Sequence, residues 1–133
     1  MELTSDDRLA IHELIHLHGH LMDDGAFDRL DELFTPDIEY DVSAFGGGVL
    51  QGTAAIAEAG QILGSANPLG HHVTNVLIVS NETDTATVRS KGFGVMSDGS
   101  VGSAVYDDQV VRTPAGWRIS SRKVTPRRTP LHP

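Results

Sequence analysis

The second half of the chain consists of four β-prone segments separated by short polar turns. The segments are rich in valine, isoleucine, threonine and aromatic residues, which favour strands. The predicted strands span residues 73–80, 85–96, 101–112 and 117–124. Asparagine, aspartate, serine, glycine and proline cluster between them, at residues 81–84, 97–100 and 113–116. Because short turns pair consecutive strands in opposite directions, the sequence predicts an antiparallel meander of long strands.

The predicted strand over residues 85–96 has two different faces. One face carries Arg89 and Lys91, whereas the other carries small residues that include Gly92 and Gly94. Successive side chains point to opposite faces of a strand, and glycine permits a sheet to bend. A bent sheet with small residues on its concave face leaves volume unfilled, which predicts a cavity there.

The first predicted helix has one buried stripe. Its members recur at steps of three and four residues: Ile11, Leu14, Ile15, His18 and Met22. This period is that of one helix face, so His18 is the one histidine of the helix that points inward. Ser5 or Thr4 can cap the helix, and Gly25 stops it after about Asp24.

The remainder of the first half predicts two more helices and a strand. A second short amphipathic helix covers residues 27–34 and ends at the Thr-Pro-Asp sequence of residues 35–37. A strand over residues 38–42 follows, and a third helix, capped by Thr53, runs over residues 54–63. The glycine-rich stretch before that helix has no lysine and does not match the dinucleotide spacing, so no nucleotide or other cofactor is predicted.

Composition restricts the class of protein. The chain has 133 residues, 39% of them hydrophobic, which predicts a single domain over residues 1–125 followed by a proline-rich tail over residues 126–133. The absence of cysteine rules out disulfides and thiol nucleophiles and favours a reducing, cytoplasmic compartment. A net charge of −8 argues against nucleic acid or an anionic membrane as a partner.

Basic residues are concentrated near the C-terminus. They are Arg112, Arg118, Arg122, Lys123, Arg127 and Arg128. Charges spread along a strand and a tail are typical of a solvated face, so we expect them to be exposed and not to form an anion site.

Several short motifs occur in a fixed order from Ile11 to Arg122. They are Asp23 with Phe27-Asp28-Arg29-Leu30, Leu33-Phe34-Thr35-Pro36-Asp37, Gly52 before Ile56, His71 with Asn75, Tyr106-Asp107-Asp108, Val111-Arg112-Thr113, Gly116-Trp117-Arg118-Ile119 and Arg122. In this order they closely resemble the SnoaL-like branch of the nuclear transport factor 2-like superfamily. The resemblance implies an α+β fold, a cone-shaped α+β barrel in which three N-terminal helices pack on a curved antiparallel sheet. Members of this superfamily include scytalone dehydratase, bile-acid dehydratase, polyketide cyclases, an epoxide hydrolase and non-catalytic domains, so the fold does not determine the reaction.

The resemblance to the dehydratases implies an aspartate–histidine pair, which falls on Asp23 and His71. In this interpretation His71 is the general base, and Asp23 accepts its Nδ1 proton and thereby fixes the tautomer. His18 stands where bile-acid dehydratase has a tyrosine, five residues before the aspartate, and is the third predicted catalytic residue. If the strand register shifts by one residue, His72 replaces His71 as the base.

Three residues are predicted to bind substrate. Asn75 shares the His71 face of a regular strand and can hydrogen-bond a substrate oxygen. Tyr40 and Asp41 alternate on the first strand, so that one of them faces the cavity; we assign Tyr40 to the site, although the sequence leaves the choice open. Tyr106, from the last group of motifs, completes the set.

These features predict a cofactor-independent lyase or isomerase of the dehydratase type. It would remove a proton beside a carbonyl group of a small, mostly apolar compound such as a polyketide, steroid or terpenoid, and then lose water or move a double bond. Two alternatives remain open. The same dyad could serve an epoxide hydrolase or a cyclase, or the chain could be a non-catalytic ligand-binding or dimerisation domain.

Two predictions concern surfaces. His12, His16 and His20 form a row on the outer face of the first helix, and no inward carboxylate completes a metal shell there, so no metal site is predicted. The outer face of the sheet is expected to carry Thr74, Val76 and Ile78. An apolar strip of this kind predicts a homo-oligomer, either a dimer or a trimer.

Overall fold

Helix α1 begins at a capping box. The computed structural model describes residues 2–131, and α1 spans Ser5–Asp23. The Thr4 hydroxyl accepts the N–H of Asp7, and the Asp7 carboxylate accepts the N–H of Thr4, both at 3.0 Å. This reciprocal pair satisfies donors that a helix N-terminus leaves free, so Thr4 caps the helix. Gly25, with a φ of 65°, follows its C-terminus.

Two further helical segments precede the long strands. A 3-10 helix spans Phe27–Glu32 where the sequence predicted an α-helix over residues 27–34. Because Phe34 already belongs to a strand, only a short segment is left, and short segments accommodate 3-10 geometry. Helix α2 spans Gly52–Leu63 and has no side-chain cap, so the predicted cap at Thr53 is wrong. Two short 3-10 turns lie at Ser43–Phe45 and Gly64–Ala66.

Six strands form one curved, open sheet. They are β1 Phe34–Asp41, β2 Val49–Gln51, β3 Gly70–Asn81, β4 Thr85–Val95, β5 Val101–Thr113 and β6 Gly116–Arg127. Their order across the sheet is β2-β1-β6-β5-β4-β3, and β3 to β6 pair as consecutive antiparallel neighbours. The predicted meander is therefore confirmed, and with the helices packed against it the chain has the expected cone-shaped α+β fold.

One pairing in the sheet is parallel. Strand β1 lies beside β6 in the same direction, with Tyr40 opposite Arg122, so the sheet is mixed and not wholly antiparallel. No hairpin joins these two strands, which are distant in the chain, so no local turn sets their relative direction. The pairing therefore places Tyr40, from the first half of the chain, beside Arg122, from the last strand.

A β-bulge in β3 changes which residues face the core. The pairing with β4 shifts between Thr74 and Leu77, and Asn75 in the bulge has a left-handed φ of 55°. An inserted residue reverses the in–out alternation beyond it. As a result Val76 and Ile78 pack against the core, and Leu77 lies on the outer face. The predicted outer positions of Val76 and Ile78 are therefore wrong.

The main core lies between α1, the 3-10 helix and the concave face of the sheet. Its fully buried members include Ile11, Ile15, Leu30, Leu33, Phe34, Ile38, Val88, Val110 and Ile119. At Gly92 of β4 a Cβ would overlap the ring of Tyr106. Tyr106 lies on β5, opposite Ser90, which is two residues before Gly92 on β4. The Tyr106 ring therefore fills the volume that the sequence predicted to be empty at Gly92, and the glycine admits this ring.

Strand β6 extends past the start of the predicted tail. Pro126 pairs with Ala104 and Arg127 with Ser103, so the first two residues of the predicted tail belong to the sheet. Residues 132–133 of the predicted tail lie outside the described residues. Within residues 2–131, no helix has the length and apolar character needed to cross a membrane.

Candidate active site

Gly19 allows helix α1 to approach strand β3 closely. A Cβ at this position would overlap the backbone carbonyl oxygen of His71. Glycine inside a helix costs about 1 kcal/mol relative to alanine, so an interior glycine needs a packing reason, and this contact provides one. The close approach places Asp23, the last residue of α1, against the beginning of β3.

Asp23 and His71 are in direct contact. Asp23 Oδ1 lies 2.6 Å from His71 Nδ1, and both carboxylate oxygens lie 3.0 Å from the His71 backbone nitrogen. Because a carboxylate only accepts, a neutral His71 ring carries its proton on Nδ1 and has a free lone pair on Nε2. The two side chains are 23% and 24% exposed, so the pair is partly accessible to solvent and is not sealed in the core.

His72 lies on the other face of the sheet. It is exposed, and its ring stacks on that of Phe93 with the centroids 4.9 Å apart. The register that would place His72 in the site is therefore excluded, and His71 is the histidine that meets Asp23.

His18 lies five residues before Asp23 on α1 and is 2% exposed. Its Nε2 is 3.1 Å from the Tyr40 hydroxyl, and its ring centroid lies 6.1 Å from that of His71. Burial, then the positive charge of Arg122, and then His71 hold the pKa of His18 well below its usual range. At neutral pH His18 is therefore an uncharged hydrogen-bonding partner inside the site.

Tyr40, and not Asp41, faces the interior. Asp41 instead accepts hydrogen bonds from the backbone and the hydroxyl of Ser43. Burial raises the pKa of Tyr40 to about 12, against the opposing charge of Arg122, so its hydroxyl stays protonated and can donate. Burial raises the pKa of Tyr106 as well, again opposed by Arg122.

A buried arginine completes the site. Arg122 is 0% exposed and forms a bidentate ion pair with Asp108, with Nε 2.7 Å from Oδ1 and Nη2 2.9 Å from Oδ2. Its guanidinium lies 4.3 Å from the centroid of the Tyr106 ring. Burial opposes the charged form of Arg122, but the charge and hydrogen bonds of Asp108 raise its pKa above the usual value. The predicted exposure of Arg122 is therefore wrong.

Sequence reasoning did not select Asp108 and Arg122 as site residues. The only signal was their membership of the C-terminal motifs, because a periodic pattern does not distinguish an inward arginine from an exposed one. They are opposite each other on β5 and β6, which is the position in which oppositely charged side chains pair across strands.

Asn75 does not belong to the site. The bulge in β3 removes it from the face that His71 occupies, and it is exposed. The prediction that Asn75 shares the His71 face is therefore wrong, because it assumed a regular strand.

Of the buried polar atoms that have no hydrogen-bond partner among residues 2–131, three belong to residues of α1, β4 and β6 on the concave side of the sheet. These are His18 Nδ1, Arg122 Nη1 and Ser90 Oγ. Buried polar groups are nearly always paired, so such atoms indicate a place for water or for the polar part of a ligand. In the described part of the chain, no group of three or more histidine, aspartate or glutamate side chains could hold a metal ion.

The helical layer packed on a curved, mixed sheet places the protein among the cone-shaped α+β proteins. A family comparison identifies it further: residues 4–123 match the SnoaL-like domain, and the chain belongs to that family. A relative in Mycobacterium tuberculosis, the uncharacterized protein Rv2910c, is 35% identical over 125 residues, which cover 90% of this chain and 84% of the relative.

Solved structures from Novosphingobium aromaticivorans share the fold. One carries the provisional name aromatic ring hydroxylase; it is 31% identical, with a TM-score of 0.80, and the match covers 99% of this chain and 94% of the other. Another carries the provisional name scytalone dehydratase; it is 22% identical, with a TM-score of 0.76, and the match covers 97% and 93%. Because these two names differ, the reaction has to be argued from the site.

Proposed function

We propose that this protein is a cofactor-independent lyase or isomerase in which His71 is the general base. The observation that supports this most strongly is the double hold of Asp23 on His71, through the backbone N–H and through Nδ1. Because both the main chain and the ring are held, the Nε2 lone pair of the neutral ring has a fixed orientation, and the His71 side chain is partly exposed. A base of this type is suited to proton abstraction from carbon, provided that the developing negative charge is stabilised.

The second half of the proposal concerns how the negative charge that develops on the substrate is stabilised. When His71 Nε2 takes a proton from the carbon beside a carbonyl group, the C–H electron pair moves toward the carbonyl oxygen and forms an enolate. The unpaired Nη1 of Arg122 can donate to an oxygen on the interior side of the site. The neutral Tyr40 hydroxyl can also donate there in the tautomer in which His18 Nε2–H donates to the Tyr40 oxygen. Hydrogen bonds from buried, already oriented donors stabilise such charge more effectively than water does.

The proposed reaction ends in one of two ways. In elimination, the enolate electrons form a carbon–carbon double bond, the carbon–oxygen bond of a β-hydroxyl breaks, and the imidazolium of His71 returns the proton so that water leaves. In isomerisation, the same proton is returned to another carbon. Asp23 stabilises the imidazolium in both cases and does not itself become protonated.

The side chains around the dyad suggest the substrate class. The rings of Phe34, Tyr40 and Tyr106 all lie within 6.2 Å of the His18 ring, centroid to centroid. Such a surface favours a small, largely apolar molecule with one oxygen directed toward Tyr40 and Arg122. We therefore propose a carbonyl compound of the polyketide, steroid or terpenoid kind.

Solvent exchange tests the proposal whichever product the reaction forms. Small cyclic and polycyclic ketones with a β-hydroxyl group would be incubated with the protein in D₂O, and NMR would follow deuterium at the carbon beside the carbonyl as well as loss of water. We expect exchange or elimination with the wild type and a loss of at least ~10²-fold in His71→Ala. The matched control is His72→Ala, the adjacent histidine on the other face, which should retain activity.

Two results would contradict the proposal. A compound that binds at the site with no exchange, elimination or isomerisation in the wild type would favour a non-catalytic binding domain. Exchange that survives in His71→Ala would show that another group is the base.

A further inference from the structure

A cleft lies on the opposite face of the sheet from the dyad. Its volume is about 380 Å³, and its walls come from β4, β5, the end of β6 and residues 128–130. None of the dyad residues lines it. Three cationic side chains do: Lys91, Arg127 and Arg128.

The strand register places two of these cations on the same face of the sheet, on either side of β5. Lys91 pairs with Val105, and Arg127 pairs with Ser103, the next residue of β5 on the same face. Neighbouring strands are about 4.8 Å apart and two residues along a strand span about 6.8 Å, so Lys91 and Arg127 begin roughly 12 Å from each other across β5. Their long side chains can both reach one small group held between them.

The cleft cations differ from their neighbours in having no carboxylate. On the same face, Asp107 of β5 lies opposite both Arg89 and Lys123. The Arg89 Nε atom is 4.0 Å from Asp107 Oδ1. Within the described range, no ion pair involves Lys91, Arg127 or Arg128. This positive charge is left uncompensated in a protein whose net charge is −8.

Arg127 provides independent support. Its Nε is buried and finds no acceptor among residues 2–131. Buried polar nitrogens are nearly always hydrogen-bonded, so this N–H is a donor that an oxygen of a ligand can use. The strand pairing of Arg127 with Ser103 adds a hydroxyl beside it, and Thr129 adds another at the rim.

We propose that this cleft binds a small molecule through an oxyanionic group, either a phosphoryl group or a carboxylate. The guanidinium groups of Arg127 and Arg128 and the ammonium group of Lys91 supply charge-assisted donors for its oxygens. Val105 and Pro130 supply an apolar surface for the rest of the molecule. The volume is that of a small-ligand pocket, which fits a monoester or a small di- or tricarboxylate. This site is separate from the dyad and does not depend on the proposed reaction.

Calorimetric titration of the full chain at low ionic strength tests the proposal, with inorganic phosphate, pyrophosphate and citrate as probes. We expect one saturable site, weakened by added salt. Lys91→Gln and Arg128→Gln should each weaken binding about tenfold, because each removes one charged donor. Arg89→Gln is the matched control: it removes the same charge from the same strand and face, outside the cleft, and should leave the affinity within about twofold. Tighter pyrophosphate binding would identify a phosphoryl ligand, and tighter citrate binding a carboxylate.

The proposal is overturned if none of the three probes gives a saturable heat at millimolar concentration. It is also overturned if Arg89→Gln weakens binding as much as Lys91→Gln, since this would show general attraction to a charged face. Thermal melts of the variants would establish that these surface substitutions leave the fold intact. Sedimentation of Lys91→Gln and Arg128→Gln gives a further check. If these variants change the mass of the assembly and no probe binds, the surface contacts another chain and the small-molecule site is rejected.

Discussion

The carboxylate of Asp23 holds His71 at two points, accepting its backbone N–H and lying 2.6 Å from its ring Nδ1. These contacts join the end of α1 to the beginning of β3, and they also orient the His71 ring. One residue thus serves both the packing and the proposed chemistry.

The dyad should act as one unit in catalysis. With a substrate found by solvent exchange, His71→Ala should lower kcat by ~10²–10⁴-fold, and Asp23→Asn by ~10²-fold because the amide can donate to Nδ1 and favour the wrong tautomer. Since both residues serve one proton transfer, the double variant should be scarcely worse than His71→Ala alone. Steady-state kinetics of the three variants provide the measurement, and additive losses would show that the residues act separately.

Gly19→Ala should destabilise the protein although alanine is the better helix former. The added Cβ would overlap the His71 carbonyl oxygen, so α1 and β3 must separate. We expect a loss of ~1–3 kcal/mol in the free energy of unfolding, measured with urea, against a gain of ~1 kcal/mol from propensity alone. His16→Ala, on the exposed face of the same helix, is the control and should have little effect. A Gly19→Ala protein as stable as the wild type would contradict the close packing.

Removing one partner of the Arg122–Asp108 ion pair should be severe. Both side chains are 0% exposed, so Asp108→Ala leaves a buried charge unpaired, at a cost of ~3–5 kcal/mol. Replacing both residues with apolar ones, as in Arg122→Met with Asp108→Leu, should recover much of that stability. Urea unfolding of the single and double variants measures this. Recovered stability without recovered turnover would assign Arg122 a role in the reaction beyond folding.

His18 should make the protein sensitive to mild acid. Its pKa in the folded state is held well below the usual value of 6.5, while the unfolded chain takes up a proton near that value. Below pH 6.5 the unfolded state therefore binds more protons than the folded state. The free energy of unfolding decreases as the pH is lowered through this range, by up to ~1.4 kcal/mol per pH unit. The measurement is urea unfolding from about pH 8 to pH 5. His18→Gln should flatten the dependence, whereas His16→Gln should not; equal slopes in all three proteins would refute this role.

The outer face of β3 leads us to propose a homodimer. Leu77 is 60% exposed and Val79 56%, and Phe93 on β4 is also exposed, so the face is more apolar than a monomer surface requires. Light scattering at micromolar concentration should give twice the chain mass of 14.2 kDa. Leu77→Asp should give a monomer, while Val76→Asp, a core position, should unfold the chain instead. A monomeric wild type would remove the proposal.

The sequence by itself determined helix α1 and the order of the strands in the meander. Turn clusters of asparagine, glycine and proline set the ends of β3 to β6 within a few residues, because short turns leave strands few ways to pair. The helical period likewise turned His18 inward and His16 outward. The assignment of Asp23 and His71 to one site came from family resemblance and not from any local pattern.

The tertiary structure decided what depends on contacts between distant segments. The parallel pairing of β1 with β6 brings Tyr40 opposite Arg122. No turn in the sequence predicts this pairing, because the two strands are far apart in the chain. The bulge at Asn75 reversed the faces of Val76 and Leu77, because one extra residue inverts a two-residue period. In the sequence, the position of Arg122 in its strand does not distinguish it from an exposed arginine. Its burial is possible because Asp108 lies opposite it and pairs with its charge.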